Sequence, residues 1–465
     1  MKNNFFFFII SFCFLFFLLI SLNVTPFLRG PADWPPEWRW GYYYVPTWAR
    51  LWAPLATFTI LTSYFFYLEK KLRSAVKLTH ILVLLFLSLV FYFSVLYFSR
   101  AGIFVLFGRL IQKDANGYFT TAIKIDNWYV FMRSFEKLVL TLPGHARGHP
   151  PLAIFPFWLV NQFFIAFPKI THLFLSLASK PQTPAVANIW NNLPATAQAT
   201  ALFSIALIPL MATLSILPLF LWTKNFGSRT ALRATLVWTL VPAVTLFLPL
   251  NDIFLPFFVC LSLFFWQKRT KAANLWAGLT LAIGILFSLS LLPILIYFFI
   301  DSLWSKKLLK AKNFFFLLGF LLPFALLRIF LNFNILTVSK LMVSGQAPRS
   351  YWPWLFYNLY DFFIFVGLPL ALIYFYQVFL LFKKKLTVDK IMVISSGLTL
   401  LALDISGISR AETGRIWLPL MPLVVVPAVG FLTSQLRLTG KQFFFILGLL
   451  FIQLVVLTEF WVTLW

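Results

Sequence analysis

Charge is scarce in this chain, and negative charge is scarcest. Only 11% of the 465 residues are Asp, Glu, Lys or Arg, where a soluble domain carries about 25%. Thirteen are acidic against 38 Lys and Arg. Together with 61% apolar residues and a mean hydropathy of +0.88, this excludes a soluble enzyme and a disordered chain. Cysteine is also rare. Cys13 and Cys260 stand alone in apolar runs with no CxxC spacing, which excludes a disulfide-stapled secreted domain and argues against a metal or redox pair. Both read as small buried hydrophobes. Nothing in the chain is long and polar enough to build a soluble domain. A net charge of +25 would suggest nucleic acid on a polar surface; here too little surface can be polar, so no nucleic-acid partner is expected. The partner is a lipid bilayer, and the charge needs a membrane explanation.

What is present is a succession of apolar runs near the 20 residues that cross a bilayer. The first is Phe5–Leu22, preceded by Lys2 and followed by no small-residue cleavage site, so it reads as an uncleaved span. Others lie at 51–68, 78–98, 151–167, 200–222, 234–250, 253–266, 274–300, 313–331, 355–382, 391–404, 416–434 and 442–464. Basic clusters orient them: Lys70, Lys71, Arg73 and Lys77; Lys224, Arg229 and Arg233; Lys268, Arg269 and Lys271; Lys306, Lys307, Lys310 and Lys312; Lys383–Lys385; Arg437 and Lys441. All are expected on the cytoplasmic side with the N-terminus. The loops 23–50, 99–150, 332–354 and 405–415 are then external. Two runs break parity. The 274–300 run, flanked by basic loops, reads as two short segments. Leu152–Phe167 reads as one pass, with Ile170–Leu177 a partial return. The expectation is an all-α polytopic protein, one helical domain over 1–465 with about 11 to 13 spans and a large external loop near 99–150. No internal repeat stands out.

Ten of the 13 acids fall on the external side, although acids do not set topology; a site there explains the bias more simply. Four constellations follow. The polar stretch Gln112–Ala122 contains Asp114. His145, Arg147 and His149 stand at alternate positions just before Pro150 and Pro151, which open an apolar helix. Two imidazoles and a guanidinium at a helix start suit an anion, particularly phosphate; a capping or interfacial role is the plainer alternative. Zinc geometry on a helix is unavailable because Gly148 and the Pro-Pro pair prevent one. Arg410, Glu412 and Arg415 crowd a short loop before an apolar span. They read either as an interfacial ion pair or as a phosphate site in which Glu412 orients the arginines. Asp252, after Asn251, sits between apolar runs with almost no loop and needs a partner or a cavity. The aromatic segments 32–44 and 351–354 read as membrane-interface belts or as sugar-stacking surfaces.

Asp114 in Asp-Ala-Asn-Gly-Tyr-Phe-Thr-Thr-Ala, His149-Pro150-Pro151-Leu152 opening a helix, and Glu412-Thr-Gly-Arg415-Ile-Trp-Leu418 in a late external loop, within an aromatic-rich polytopic chain, resemble the C-type integral-membrane glycosyltransferases. The resemblance covers the topology and about 30 residues of motif. It implies transfer of a sugar from a polyprenyl-phosphate donor to a glycan or lipid acceptor on the outer face of the plasma membrane. Asp114 would be the general base. His145, Arg147, His149, Asp252, Arg410, Glu412 and Arg415 would bind substrate, with arginine or a divalent metal ion stabilising the leaving phosphate. The family's double-acid arrangement behind the first span is not evident: Asp33 is the acid nearest that span, Glu37 follows four later, and the base is Asp114 or Asp33. A transporter or flippase for a lipid-linked or anionic substrate is the alternative, because it needs the same basic cavity.

Overall fold

The computed structural model describes residues 2–71, 76–100, 102–114, 116–176, 184–268, 270–304, 311–345, 349–387 and 390–463. Arg73, Arg269, Lys306, Lys307 and Lys310 of the basic clusters lie outside these residues. The chain is an all-α, multi-pass membrane protein. Among the described residues, seven helices are long and apolar enough to cross a bilayer: Asn4–Ser21, Trp48–Lys70, Leu78–Phe98, Ala195–Phe226, Asn313–Leu331, Leu418–Gln435 and Gly440–Phe460. Tyr351–Val366 and Leu368–Phe382 are long and apolar enough only as a pair, bent by 117°, a broken span or a re-entrant loop. This is fewer than the 11 to 13 spans expected. The difference lies in runs that fold as helices of 10–17 residues, among them Phe155–Ala166, Asn251–Gln267 and Leu289–Trp304. Proline is the common reason: Pro242 and Pro256 each start a new short helix, because a ring without an N–H cannot continue the ladder.

Both parity-breaking runs are interrupted. The 274–300 run divides into Lys271–Ile285 and Ile294–Trp304, joined through a 3-10 turn capped by Ser288. Phe155–Ala166 ends before Pro168, which opens Pro168–Ser176. The bend between Val366 and Leu368 is at Gly367, whose φ of +112° is reserved for glycine. It leaves backbone groups without helical partners. Gln453 supplies them: its Oε1 accepts from the Leu368 N–H at 2.7 Å and its Nε2 donates to the Ile364 carbonyl at 2.8 Å.

The apolar core runs from Ile9 to Trp461, while large side chains such as Phe7, Phe14, Phe314 and Phe330 face outward, as a lipid-facing surface allows. At one end Glu69 takes Arg233 at 2.8 Å and Arg229 at 3.4 Å, and Arg233 donates to the Leu438 carbonyl at 3.2 Å. The basic loops after residues 70, 224 and 436 thus share one end. At the other, Gly41 and Tyr42 pair antiparallel with Val462 and Trp461, tying the first aromatic loop to the last helix.

The 99–150 segment is folded against this second end. It contains the helices Phe104–Ile111, Tyr118–Ala122 and Trp128–Leu138, and buries Leu106, Leu110, Tyr118, Phe119 and Phe135 completely or nearly so. Apolar residues at helical spacing between the polar clusters explain the difference from an open loop.

Candidate functional site

Four separate pieces of sequence meet at the second end. The Asn251–Phe254 3-10 turn presents Asp252, and the four-residue helix Thr413–Ile416 presents Arg415. Arg415 lies between two carboxylates, 3.0 Å from Asp252 and 2.6 Å from Glu412, and all three side chains are more than nine-tenths buried. Arg349 approaches Glu412 from the other side at 3.3 Å. Burial works against the Arg415 charge, but Glu412 and then Asp252 outweigh it and hold its pKa above the usual guanidinium value.

Why the chain delivers Arg415 here is legible residue by residue. Ala411 and Glu412 both adopt left-handed φ, +72° and +56°, at a cost of about 1–3 kcal/mol each for non-glycine residues. They are held there by partners: the Asn358 Oδ1 accepts from the Ala411 N–H at 3.2 Å, and the Asn358 Nδ2 donates to the Ser409 carbonyl at 3.1 Å. Asp361, one turn further along the same helix, accepts from the Gly414 N–H at 2.8 Å, from Thr413 at 3.3 Å and from the Trp40 indole at 2.7 Å. A Cβ on Gly414 would stand 2.2 Å from the Phe365 ring, so only glycine fits. The motif Glu-Thr-Gly-Arg is therefore a plug docked on the Tyr351–Val366 helix.

The histidine segment faces the same cluster. His149 Nδ1 lies 3.2 Å from the Phe287 carbonyl. A carbonyl only accepts, so Nδ1 carries the proton and the neutral ring keeps a lone pair on Nε2. Tyr118 meets this ring edge-on, at 5.4 Å between centroids. The Tyr118 hydroxyl is buried without a hydrogen-bond partner among the described residues. Burial first, then Arg415 and His149, push the His145 pKa well below its ordinary value. The His149 pKa is lowered too, chiefly by burial, with Asp252 pulling the other way. Both imidazoles are thus neutral at pH 7.

Asp114 belongs to the next layer outward. A Cβ on Gly144 would stand 2.7 and 3.1 Å from the carbonyl oxygens of Lys113 and Asp114, so the Asp114 turn packs directly on the residue before His145. Its own side chain is exposed. Asn116 caps the Tyr118 N–H at 3.1 Å, and Gly117 turns the chain with φ +76°. The segment around Gly117 thus sets one carboxylate, Asp114, at the rim and one phenol, Tyr118, at the base.

Of the residues singled out from the sequence, the fold brings together Asp252, Glu412, Arg415, His145 and His149, with Asp114 close behind. Arg147 is exposed. Arg410 lies to one side, donating to the Gly407 carbonyl at 3.0 Å with its guanidinium over the Tyr351 ring. Asp33 pairs with Arg39 at 3.4 Å at an exposed position. Glu37 braces the first loop, accepting from the Trp354 indole at 2.6 Å and from the Ser350 N–H at 3.1 Å. Three contributors were not singled out: Tyr118, Asn358 and Asp361. The last two sit three apart in an apolar helix, a spacing that puts both on one face, and ionisable residues inside apolar helices mark sites by default. Among the described residues no three His, Cys, Asp or Glu side chains converge as a metal centre would need.

An apolar crevice adjoins the polar cluster. Pro156, Leu207, Ile208 and Met211 line it, and its remaining walls are shared with the site: Phe157 stacks parallel to Tyr118, Asn251 precedes Asp252, and Phe287 supplies the carbonyl that meets His149. It has room for about one water, so it is an apolar edge beside the histidines along which a lipid chain can lie, not a chamber that encloses one. No protein-family model matches the chain, and no curated protein matches it.

Proposed function

We propose that this protein is a membrane glycosyltransferase that moves a sugar from a polyprenyl-phosphate donor to a glycan or lipid acceptor. It would sit in the plasma membrane with its N-terminus cytoplasmic and the polar cluster on the external face. The observation that carries the reading is the junction of a polar cluster with an apolar crevice through the shared walls Phe157, Asn251 and Phe287. A polyprenyl phosphate has this polarity: its head would meet the histidines while its tail stays in the bilayer along the apolar edge of the crevice.

In this scheme the Asp114 carboxylate takes the proton from the acceptor hydroxyl. The hydroxyl oxygen bonds to the anomeric carbon as the bond from that carbon to the phosphate oxygen breaks, with inversion, and polyprenyl phosphate leaves with the electron pair. The Tyr118 hydroxyl and the neutral histidines hydrogen-bond the sugar and its phosphate. Arg147 and Arg410 supply net positive charge at the rim. Arg415 has two of its N–H groups committed to carboxylates; it holds the floor in shape, and reaches phosphate only by exchanging Asp252 or Glu412. A divalent ion, if bound, would supply charge stabilisation for the leaving phosphate, and Asp114 is the acid at the rim that would hold it.

A transporter draws on one observation, the sharply broken Tyr351–Phe382 helix pair, since transporters use unwound helices to hold substrate. The break here is closed by Gln453, which occupies the backbone groups a substrate would need. That favours catalysis at the external end. The test is release of polyprenyl phosphate from a labelled donor by the protein in proteoliposomes. Asp114→Asn should lower release by about 10²–10⁴-fold at unchanged expression. Wild-type activity in that variant removes Asp114 from the mechanism; movement of intact donor without release establishes transport instead.

A further inference from the structure

A second cationic cavity lies away from the Arg415 cluster, beneath the aromatic loop and the C-terminal strand. It is lined by Tyr43, Arg100, Arg109, Thr245 and Trp461, and among the described residues no acidic side chain lines it. The rings of Trp40, Phe247 and Phe365 stack between this cavity and the Glu-Thr-Gly-Arg plug, with Phe365 touching Trp461 on one side and Gly414 on the other.

Its lining is rich in donors that lack acceptors. Arg109 is 4% exposed. Both terminal nitrogens of its fork donate to backbone carbonyls, Nη1 to Leu246 at 3.1 Å and to Leu248, and Nη2 to Thr463 at 2.7 Å; its Nε–H has no partner among the described residues. Neither Arg109 nor Arg100 forms an ion pair among the described residues. Arg100 lies flat on the Tyr43 ring at 4.2 Å, leaving Nε and Nη2 buried without acceptors. The Thr245 hydroxyl and the Trp461 indole N–H, on side chains 1% and 2% exposed, are also unpartnered. Five buried donors around one cavity are costly at about 1–3 kcal/mol each unless an acceptor fills it. Two guanidiniums without a counter-charge specify that the acceptor is an anion. The cavity has room for on the order of two to three waters, enough for one oxyanion group and too little for a sugar. Burial pushes the Arg109 pKa down to about 9, a cost that a bound anion would relieve.

We propose that this cavity is a second anion-binding site, distinct from the site beside Arg415, and that it takes a single phosphate group. The phosphate can come from an anionic lipid headgroup at the external interface or from solution. The experiment uses the full-length protein in a neutral detergent, with inorganic phosphate in one arm and short-chain phosphatidic acid in the other. Binding is read from the shift in melting temperature and from an isotherm. Wild type should bind at least one probe saturably. Saturation by phosphate alone identifies a soluble anion; saturation by phosphatidic acid alone identifies a headgroup. Arg100→Gln should weaken binding at least about tenfold, and Thr245→Val, an isosteric change that preserves packing, by about three- to fivefold. If neither probe binds wild type saturably, or if Arg100→Gln binds as wild type does, the proposal is wrong. Phosphate seated only beside Arg415 gives that second result. Should Arg100→Gln fail to fold, unchanged affinity in Thr245→Val overturns the proposal in its place.

Discussion

The Asp252–Arg415–Glu412 chain makes a prediction whose sign is unusual. Arg415 is the one cation paired with Asp252 among the described residues, whereas Glu412 also has Arg349. Replacing Arg415 with Met keeps the volume of the side chain but strands the Asp252 carboxylate in a site more than nine-tenths buried. Two unit charges 4 Å apart interact by about 4 kcal/mol at an effective dielectric of 20, and removing one member of a buried pair costs about 3–5 kcal/mol. Asp252→Asn is milder, about 1–3 kcal/mol, because Arg415 keeps Glu412. The double variant removes the stranded charge along with its partner. It should therefore be more stable than Arg415→Met alone, by about 2 kcal/mol. The assay is unfolding of the purified protein in mixed micelles, followed by far-UV circular dichroism against denaturing detergent. If the two effects simply add to within about 0.5 kcal/mol, Asp252 and Arg415 are not coupled and the site is built differently.

The half-buried neutral histidines predict a pH dependence. Both have pKa values lowered in the folded protein, so below about 6.5 the unfolded chain binds protons that the folded one refuses. Stability should hold from pH 8 to 7 and fall as pH drops below 6.5, by about 1.4 kcal/mol per pH unit for each histidine; thermal melts of wild type against His145→Gln would show a shallower slope in the variant, and equal slopes would count against the burial. Gly117→Ala places a Cβ 2.1 Å from the Pro143 carbonyl at a left-handed position, separating the Asp114 turn from the histidine segment. It should abolish transfer, while Gly148→Ala, with nothing within 4 Å, should not. Gln453→Leu orphans the Leu368 N–H and the Ile364 carbonyl and should destabilise the bent helix pair by about 1–3 kcal/mol per group, seen as faster amide exchange on either side of Gly367.

Hydropathy carried the membrane class and the long spans, because lipid demands contiguous apolar helices, and the parity of the basic loops carried the two interrupted runs. Hydropathy read as continuous runs several stretches that proline cuts into shorter helices, since composition does not register the break in the ladder. The site was legible where several polar residues stand together in an apolar chain: Asp252, His149 and Arg415 each stood out and now share one cluster. Asp361 and Asn358 did not, because each is a single polar residue diluted in the aromatic run Tyr351–Val366, and their respective partners Gly414 and Ala411 lie more than 50 positions away. Tyr118 was hidden for the opposite reason, one tyrosine among 15 in a chain where tyrosines ordinarily mark the membrane interface.

The crevice beside Tyr118 and His149 has a practical corollary for anyone handling the protein. A single-chain detergent with a charged or sugar head is itself a polar group on a hydrocarbon tail, and so has the outline of the proposed donor. Extraction from the membrane would then double as exposure to a competitive inhibitor at millimolar concentration. Head-group chemistry and tail length, ordinarily chosen for solubility, become variables of enzymology, and bulky-headed or polymer-based lipid particles that keep native bilayer around the crevice are the preparations in which turnover should be sought.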